Sequence, residues 1–193
     1  MAKALEDMSL EELWQLFPIF LKEHNKDWAA WYKEESRRIQ SFLPANQLYE
    51  MHHIGSTSIE GIWAKPIIDI LLEIPRSEDM GSIQRKLLEY GYLLMSESAG
   101  RMSFNKGYTL QGFAERVFHL HLRYYGDNDE LYFRDYLKAH PDVAKDYEKL
   151  KLTLWKKYEY NRDAYTEAKT DFIRLYTQKA KKLYKRRYDD KIE

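Results

Sequence analysis

The chain has 193 residues, 44% of them hydrophobic, and its 31 Lys and Arg side chains are balanced by 31 Asp and Glu. This length suffices for one compact unit with a sizeable core, and the charge balance provides no global basic field, so nucleic acid is not expected as a partner. There is no cysteine, which excludes disulfides and thiolate-ligated metals. Because no apolar run reaches membrane-spanning length and the N-terminus lacks a signal-peptide pattern, we expect a cytoplasmic protein with no membrane contact.

Two helices are predicted first. Ser9 and Glu12 form a capping-box pattern ahead of apolar residues at helical spacing, and Pro18 indicates that this first helix breaks or kinks. A second helix is predicted over about residues 26–42, ending before Pro44.

Two strands joined by a turn follow, at roughly residues 47–54 and 66–74. The turn contains the run Gly-Ser-Thr-Ser at residues 55–58, whose backbone N–H groups and three hydroxyls suit an anion. In the second strand Asp69 interrupts an apolar run, and because strand side chains alternate, its carboxylate faces away from its two isoleucine neighbours. A charged residue in such a strand is expected where something compensates its desolvation, as a metal–phosphate site would.

A helix and three strands are predicted next. We expect Ser77 to cap the helix and Gly91 to end it. The strands, of which the last two form a hairpin through a turn containing Gly112, are predicted at residues 92–97, 101–108 and 115–124.

The pattern is helical from Asp127 onward. Residues 127–130 read as another capping box, Pro141 suits the first turn of a further helix, and a final helix is predicted after residues 161–163. This change of composition predicts an α/β core with N-terminal helices at residues 1–125 and a C-terminal helical subdomain at 126–193, packed together as a single compact unit.

Paired histidines are candidates for chemistry. His119 and His121 point the same way from one strand, with Arg123 next in line, and can share a metal or a phosphate or act as a general base. A solvent-facing or cross-strand-paired polar face explains the pattern equally well. We expect His53, rather than its neighbour His52, to face the site from the first strand.

Three cationic residues are also candidates. Lys65 lies at the mouth of the strand that carries Asp69, and Lys169 lies on the apolar face of the last helix, where its ammonium must either reach solvent or meet an anion. Arg134, beside Asp135, is either a site residue or half of an ordinary solvated pair.

A metal site based on Asp69 lacks a second carboxylate. Two-metal chemistry normally needs more than one, but the position two residues on, on the same strand face, is Leu71. Glu73 is one pleat further along.

Several blocks of sequence resemble the GrpB family, in the family's order, over about residues 26–176. The blocks are His52–Gly61 with Ala64–Ile70, Phe118–His121, Phe133–Leu137 with His140-Pro141, and Tyr165–Thr170 with Phe172-Ile173, together with the region of Trp28. That family is similar to the DNA polymerase β-like nucleotidyltransferase superfamily and also occurs fused to dephospho-coenzyme A kinase. The resemblance implies an α+β fold, with a nucleotidyltransferase-like mixed β-sheet flanked by helices and a C-terminal helical part that closes over the site.

The resemblance also implies site roles. The superfamily's phosphate-holding turn carries over onto Gly55 and Ser56, and its first Mg²⁺ carboxylate onto Asp69, whereas the second falls on Leu71. The predicted catalytic residues are Asp69, His119 and His121, with Asp69 also holding Mg²⁺. The predicted phosphate- or nucleotide-binding residues are Gly55, Ser56, Thr57, Ser58, Lys65, Arg134, Tyr165 and Lys169.

Alternative functions stay open at this point. One is a transferase that moves a nucleotidyl group from a nucleoside triphosphate to an acceptor. Another is a non-catalytic module that binds a nucleotide or a coenzyme A-type ligand, which the missing carboxylate favours. A third, a partner-binding scaffold, rests on the tyrosine-rich helices and the basic tail. The sequence identifies neither the acceptor nor the oligomeric state.

Overall fold

The computed structural model describes residues 3–43, 49–185 and 187–188. Its helices are α1 (Leu10–Leu16), α2 (Asp27–Phe42), α3 (Met80–Glu89), α4 (Asp129–Ala139), α5 (Pro141–Tyr158), α6 (Arg162–Glu167) and α7 (Thr170–Tyr184). Its strands are β1 (Glu50–Ile54), β2 (Ile67–Ile74), β3 (Leu93–Ser98), β4 (Arg101–Thr109) and β5 (Gly112–Tyr124). None of the helices in these segments is both long and apolar enough to cross a membrane.

The five strands form one sheet in the order β1-β2-β5-β4-β3. The β2–β5 pair is parallel, whereas β1–β2, β3–β4 and β4–β5 are antiparallel. The predicted α+β class, with a mixed sheet flanked by helices, is confirmed.

One face of the sheet is the main hydrophobic core. Alternate side chains of β2 and β5 point to this face because strand side chains have a period of two, and helices α2 and α3 cover them. The core residues contributed by these two strands are Ile68, Ile70, Leu72, Ile74, Phe118, Leu120 and Leu122.

The opposite face carries the polar residues of the same strands. The parallel register places Asp69 beside His119, Leu71 beside His121 and Glu73 beside Arg123. The apolar-in, polar-out alternation expected for β5 is confirmed, and the pairing with β2 explains why its histidines meet the aspartate.

Helix caps agree only partly with the sequence patterns. The Ser9–Glu12 capping box is present, and α1 ends before Pro18, as expected. However, α3 is capped by Asp79, whose carboxylate accepts from two backbone N–H groups, and not by Ser77. Pro44 and the first residues of the predicted 47–54 strand lie outside the described residues.

The capping box predicted at residues 127–130 is wrong. Asn128 is the N-cap of α4 but its side chain does not cap the helix. Its Nδ2 donates to the buried Glu73 carboxylate at 3.0 Å, which orients the amide group towards β2. Asp127 instead pairs with Arg101, at 2.5 and 2.6 Å.

The final helix is two helices rather than one. The break falls between α6 and α7, where Lys169 is the N-cap residue of α7. Lys169 therefore projects from a helix junction rather than from the apolar face of a continuous helix.

Candidate functional site

The turn after β1 fits closely against Asp69. Gly55 has a φ of +67°, and a Cβ atom there would lie 2.2 Å from Asp69 Oδ2. Any other residue would meet both the unfavourable left-handed backbone region and a steric clash with the carboxylate. The glycine therefore allows the turn and the carboxylate to share one small space.

The three hydroxyls of this turn have different roles. Thr57 donates to the Ile67 carbonyl at 3.1 Å and Ser58 to the Gly55 carbonyl at 2.7 Å. A hydroxyl has one donor, so these two side chains do not offer it to a ligand, which corrects the expectation that all three hydroxyls would be free. Ser56 is hydrogen-bonded to the hydroxyl of the buried Tyr147.

Asp69 and the two β5 histidines come together. Asp69 Oδ1 lies 3.3 Å from His119 Nδ1 and 3.8 Å from His121 Nε2. Burial alone raises the pKa of the Asp69 carboxyl, but its interactions with His119 and His121 outweigh burial and hold the pKa below its ordinary value. Asp69 is therefore ionised at neutral pH, although its side chain is only 26% exposed.

On its other side, His119 contacts Tyr108, which in turn is hydrogen-bonded to Arg162. Arg162 donates to the Tyr108 hydroxyl oxygen at 2.5 Å, and that oxygen lies 2.8 Å from His119 Nε2. Because the Tyr108 oxygen accepts from the guanidinium, its own proton is available to donate to Nε2, which leaves Nδ1–H to donate to Asp69. Burial lowers the pKa of His119, which favours this neutral form.

Two lysines lie against the ring of Tyr165. The Nζ atoms of Lys65 and Lys169 lie 5.1 and 4.2 Å from its centroid. Burial, together with the neighbouring cations, lowers the pKa of Lys65 well below its ordinary value, and burial lowers that of Lys169 to about 8. Both ammonium groups thus occupy positions that are unfavourable without an anion.

A third lysine, Lys151, belongs to the same group. It is 2% exposed, donates to the Trp63 carbonyl, and its Nζ lies 5.0 Å from the Tyr147 ring centroid. Burial, with a further contribution from Lys169, lowers its pKa to about 7. We call Lys65, Lys151, Arg162 and Lys169 the cation cluster.

Sequence reasoning missed Lys151, Arg162 and Tyr108. For Lys151 a signal existed, since it lies four residues after Tyr147 and three before Leu154 on the apolar stripe of α5, the same argument that selected Lys169. We find no comparable pattern for Arg162 or Tyr108, which approach His119 only through tertiary packing.

Some predicted site residues lie elsewhere or are enclosed. Arg134 is held by Asp135 at 2.8 Å and by the His53 carbonyl at 3.2 Å, so its guanidinium fastens α4 to β1. Tyr165 is fully buried (0% exposed), so its ring supports the lysines from beneath and is closed to a ligand.

The expectation about His53 is corrected in part. Its register partner is Ile70, so its side chain lies on the core face, where it stacks on Tyr32 at 4.8 Å, although its Nε2 also lies 3.0 Å from Thr57 Oγ1 of the turn. Burial lowers its pKa to about 4. The side chain that shares the face of Asp69 is that of His52, whose partner is Leu71.

Leu71 occupies the position at which a second carboxylate would stand. It is 0% exposed and packs with Ile54 and Leu131 in an apolar plug. Among the described residues, the carboxylate that the site offers to Mg²⁺ is that of Asp69, so the remaining ligands would have to be phosphate oxygens and water. Mg²⁺ accepts that arrangement when it arrives with a nucleotide.

A cavity of about 380 Å³ opens beside Lys65. Its aromatic lining residues are Phe20, Trp28, Trp31 and Phe113. A ligand that carries both a flat apolar group and a charged group could therefore place the flat group in this cavity, next to the cation cluster, and the charged group towards Lys65.

Fold and site together define an α+β protein whose mixed sheet presents a carboxylate and two histidines to a cluster of buried and half-buried cations. The chain belongs to the GrpB family, since the family model described as GrpB protein matches residues 18–179.

Individual relatives agree with this assignment. The chain is 34% identical over 169 residues to UPF0157 protein YqkA of Bacillus subtilis, covering 85% of this chain and 48% of YqkA, so it spans about half the length of that relative. It is 34% identical over 161 residues to the glutamate-rich protein GrpB of Alkalihalophilus pseudofirmus, covering 80% and 91% of the two chains. The crystal structure of conserved protein GrpB from Enterococcus faecalis is similar with a TM-score of 0.74 and 30% identity, over 86% of this chain and 99% of that one.

Proposed function

We propose that this protein binds a nucleoside triphosphate, or a related ligand that bears several phosphates, with the phosphates between the Gly55–Ser56 turn and the cation cluster. The observation that carries the proposal is the excess of positive charge around Asp69. The four cations lie close enough to influence one another or Asp69 electrostatically, and Asp69 is already paired with two histidines.

The lowered pKa values of the lysines support an anionic ligand. Ammonium groups that are desolvated and repel one another are costly in the free protein, and an anion between them removes that cost. Compact lysine charges suit phosphate groups, and the backbone of a glycine turn can approach them closely.

The aromatic cavity beside Lys65 supports a nucleotide over inorganic phosphate. A base could stack on the rings there while the phosphates extend from Lys65 towards Lys169. Stacking of a base on an aromatic side chain contributes about 1–3 kcal/mol.

Mg²⁺ is not required for this binding. Lysine and arginine side chains provide the charge neutralisation that a second metal-binding carboxylate would otherwise support, and Leu71 leaves no room for that carboxylate. Where Mg²⁺ accompanies the nucleotide, Asp69 is its protein ligand.

Nucleotidyl transfer is the second candidate, and the Asp69–histidine contacts favour it. The acceptor oxygen would attack the α-phosphorus, pyrophosphate would leave, and the proton lost by the acceptor would pass to a histidine. His121 suits that role because it is 26% exposed beside Asp69, whereas His119 is occupied by Tyr108. Asp69 and His119 then orient and polarise the site.

Calorimetric titration of the full chain with ATP, GTP, CTP, UTP and coenzyme A, each with Mg²⁺ or with a chelator, tests the binding proposal. We expect binding in both conditions and at least a tenfold loss of affinity in Lys169→Met. Lys179→Met, which removes an exposed lysine of α7, should bind as the wild type does. Absence of binding by every ligand, or equal affinity in Lys169→Met, refutes the proposal.

Release of pyrophosphate separates the two candidates. An enzyme should release it from a bound triphosphate in the presence of an acceptor, and Asp69→Asn should abolish the release. Tight binding with no release by the wild type across an acceptor panel identifies a binding module.

A further inference from the structure

A second cluster of metal-type ligands lies on the same sheet face as Asp69, further along the strands. Glu50 and His52 of β1 and Glu73 of β2 each offer one ligand atom, and the three atoms lie within 4.8 Å of one another. Glu73 is four residues beyond Asp69, or about 13 Å at the usual strand rise. The Leu71 plug lies between the two sites.

The spacing of these atoms fits a tetrahedral metal ion. His52 Nε2 lies 3.3 Å from Glu50 Oε2 and 3.4 Å from Glu73 Oε2. Two ligands each about 2.1 Å from a tetrahedral Zn²⁺ are about 3.4 Å apart. The nitrogen thus stands at the ligand-to-ligand distance from both carboxylates.

His52 Nε2 lacks the hydrogen bond that its surroundings lead one to expect. The atom is buried and has no hydrogen-bond partner among the described residues, although two carboxylate oxygens are near. A buried polar atom is normally satisfied, and a metal ion between the imidazole and the carboxylates would satisfy it.

Glu73 is held in place for such a role. Its side chain is 3% exposed, and its Oε1 accepts from the Asn128 amide at 3.0 Å and from the Gly126 N–H at 3.3 Å. Because these bonds use Oε1, they orient Oε2 towards His52. Hydrogen bonds that fix a carboxylate in this way are typical of the surroundings of metal ligands.

We propose that Glu50, His52 and Glu73 bind a divalent transition-metal ion of the zinc class, with water as the fourth ligand. One imidazole nitrogen with two carboxylate oxygens favours Zn²⁺ over Mg²⁺, which prefers oxygen ligands alone. The ion would join β1, at the edge of the sheet, to β2, and Glu73 connects the site to the loop that leads into α4 through its hydrogen bonds to Gly126 and Asn128. The site is independent of the nucleotide site, so either proposal can fail alone.

Zinc titration of the chelator-treated full chain tests this inference. We expect wild type to bind one Zn²⁺ that His52→Gln and Glu50→Gln each lose, and a rise in Tm of several degrees that is absent from both variants. Two variants are used, and far-UV circular dichroism must show both folded. His140→Gln, a histidine outside both clusters, is the matched control and should keep the ion.

Asp69→Asn provides the decisive comparison, because Asp69 and its two histidines could also attract zinc. That variant should keep the site, and Co²⁺ in place of Zn²⁺ should give it the visible absorption of a tetrahedral complex. Loss of zinc in Asp69→Asn with retention in His52→Gln would place the ion at the other site and overturn the proposal. Absence of zinc binding by the wild type overturns it as well.

Discussion

Lys151→Met should remove a pH-dependent loss of folding stability. Methionine keeps an unbranched side chain of similar length and removes the charge. The folded-state pKa of Lys151 is about 7, whereas an unfolded lysine titrates near 10.4. Between these values the unfolded chain binds more protons than the folded chain, so stability rises with pH across this window.

The size of the effect follows from that difference. At 1.36 kcal/mol for each pKa unit, the lysine costs about 4 kcal/mol at pH 7 and about 2 kcal/mol at pH 9. The free energy of unfolding of the wild type should therefore gain about 2 kcal/mol from this residue between pH 7 and pH 9. The variant should lack that gain. At pH 7 it should be more stable than the wild type, because the cost of the buried charge is removed. About 1 kcal/mol must be subtracted from that advantage for the lost hydrogen bond to the Trp63 carbonyl.

Urea denaturation at pH 7 and pH 9 measures the difference. Titrating groups that Lys151 does not influence contribute equally to wild type and variant, so they cancel when the two pH changes are subtracted. Lys151 also lowers the pKa of Lys65, so its removal reduces the pH dependence of the variant further, in the same direction. Lys156→Met, at an exposed position of the same helix, should retain the wild-type pH dependence. If Lys151→Met and the wild type change equally between the two pH values, the reasoning about a buried charge is wrong.

Three further outcomes are expected. Gly55→Ala should lower the free energy of unfolding, measured by urea denaturation, by about 2–3 kcal/mol, because of backbone strain and contact with the Asp69 carboxylate. Gly61→Ala, where φ is +77° and no atom lies within 4 Å of the added Cβ, should lower it by only about 1 kcal/mol. Equal losses in the two variants would contradict the steric clash at Gly55. Nucleotide binding at pH 8 should raise the pKa of Lys169 from about 8 and therefore take up protons. The calorimetric heat of binding should then depend on the buffer, and the affinity for nucleotide should fall from pH 8 to 10. A heat that is independent of the buffer, with an affinity that does not change with pH, would argue against this. Tyr108→Phe should lower the free energy of unfolding by about 1–3 kcal/mol, because it leaves two polar partners of the hydroxyl unpaired; an unchanged urea midpoint would show that those hydrogen bonds do not stabilise the fold.

Local sequence patterns were sufficient to predict much of the sheet. The alternation in β5 predicts that His119 and His121 share a face, and the charge that interrupts the isoleucines at the start of β2 identifies Asp69, because both depend on the period of a strand. That the histidines meet the aspartate depends on the β2–β5 register, which pairs strands distant in sequence and which neither strand specifies alone.

Competition for hydrogen bonds explains the errors. Asn128 has the right residue type for a cap, but its amide group is hydrogen-bonded to the buried Glu73 carboxylate instead. Thr57 and Ser58 have donors that suit a phosphate, but nearby carbonyls already accept them. A sequence pattern shows which groups a residue carries, whereas the partner it finds depends on which other groups are buried beside it.

The parallel pairing of β2 with β5 also affects when the site can form. Ile67 pairs with Val117, 50 residues later, and such non-local contacts require closure of a long loop, which slows folding. During synthesis the aspartate emerges well before the histidines, and three residues of the cation cluster follow later still, at positions 151, 162 and 169. The pocket is therefore completed late on the ribosome, after much of the sheet has been made, and until then Asp69 lacks the two histidines that offset its burial in the folded protein.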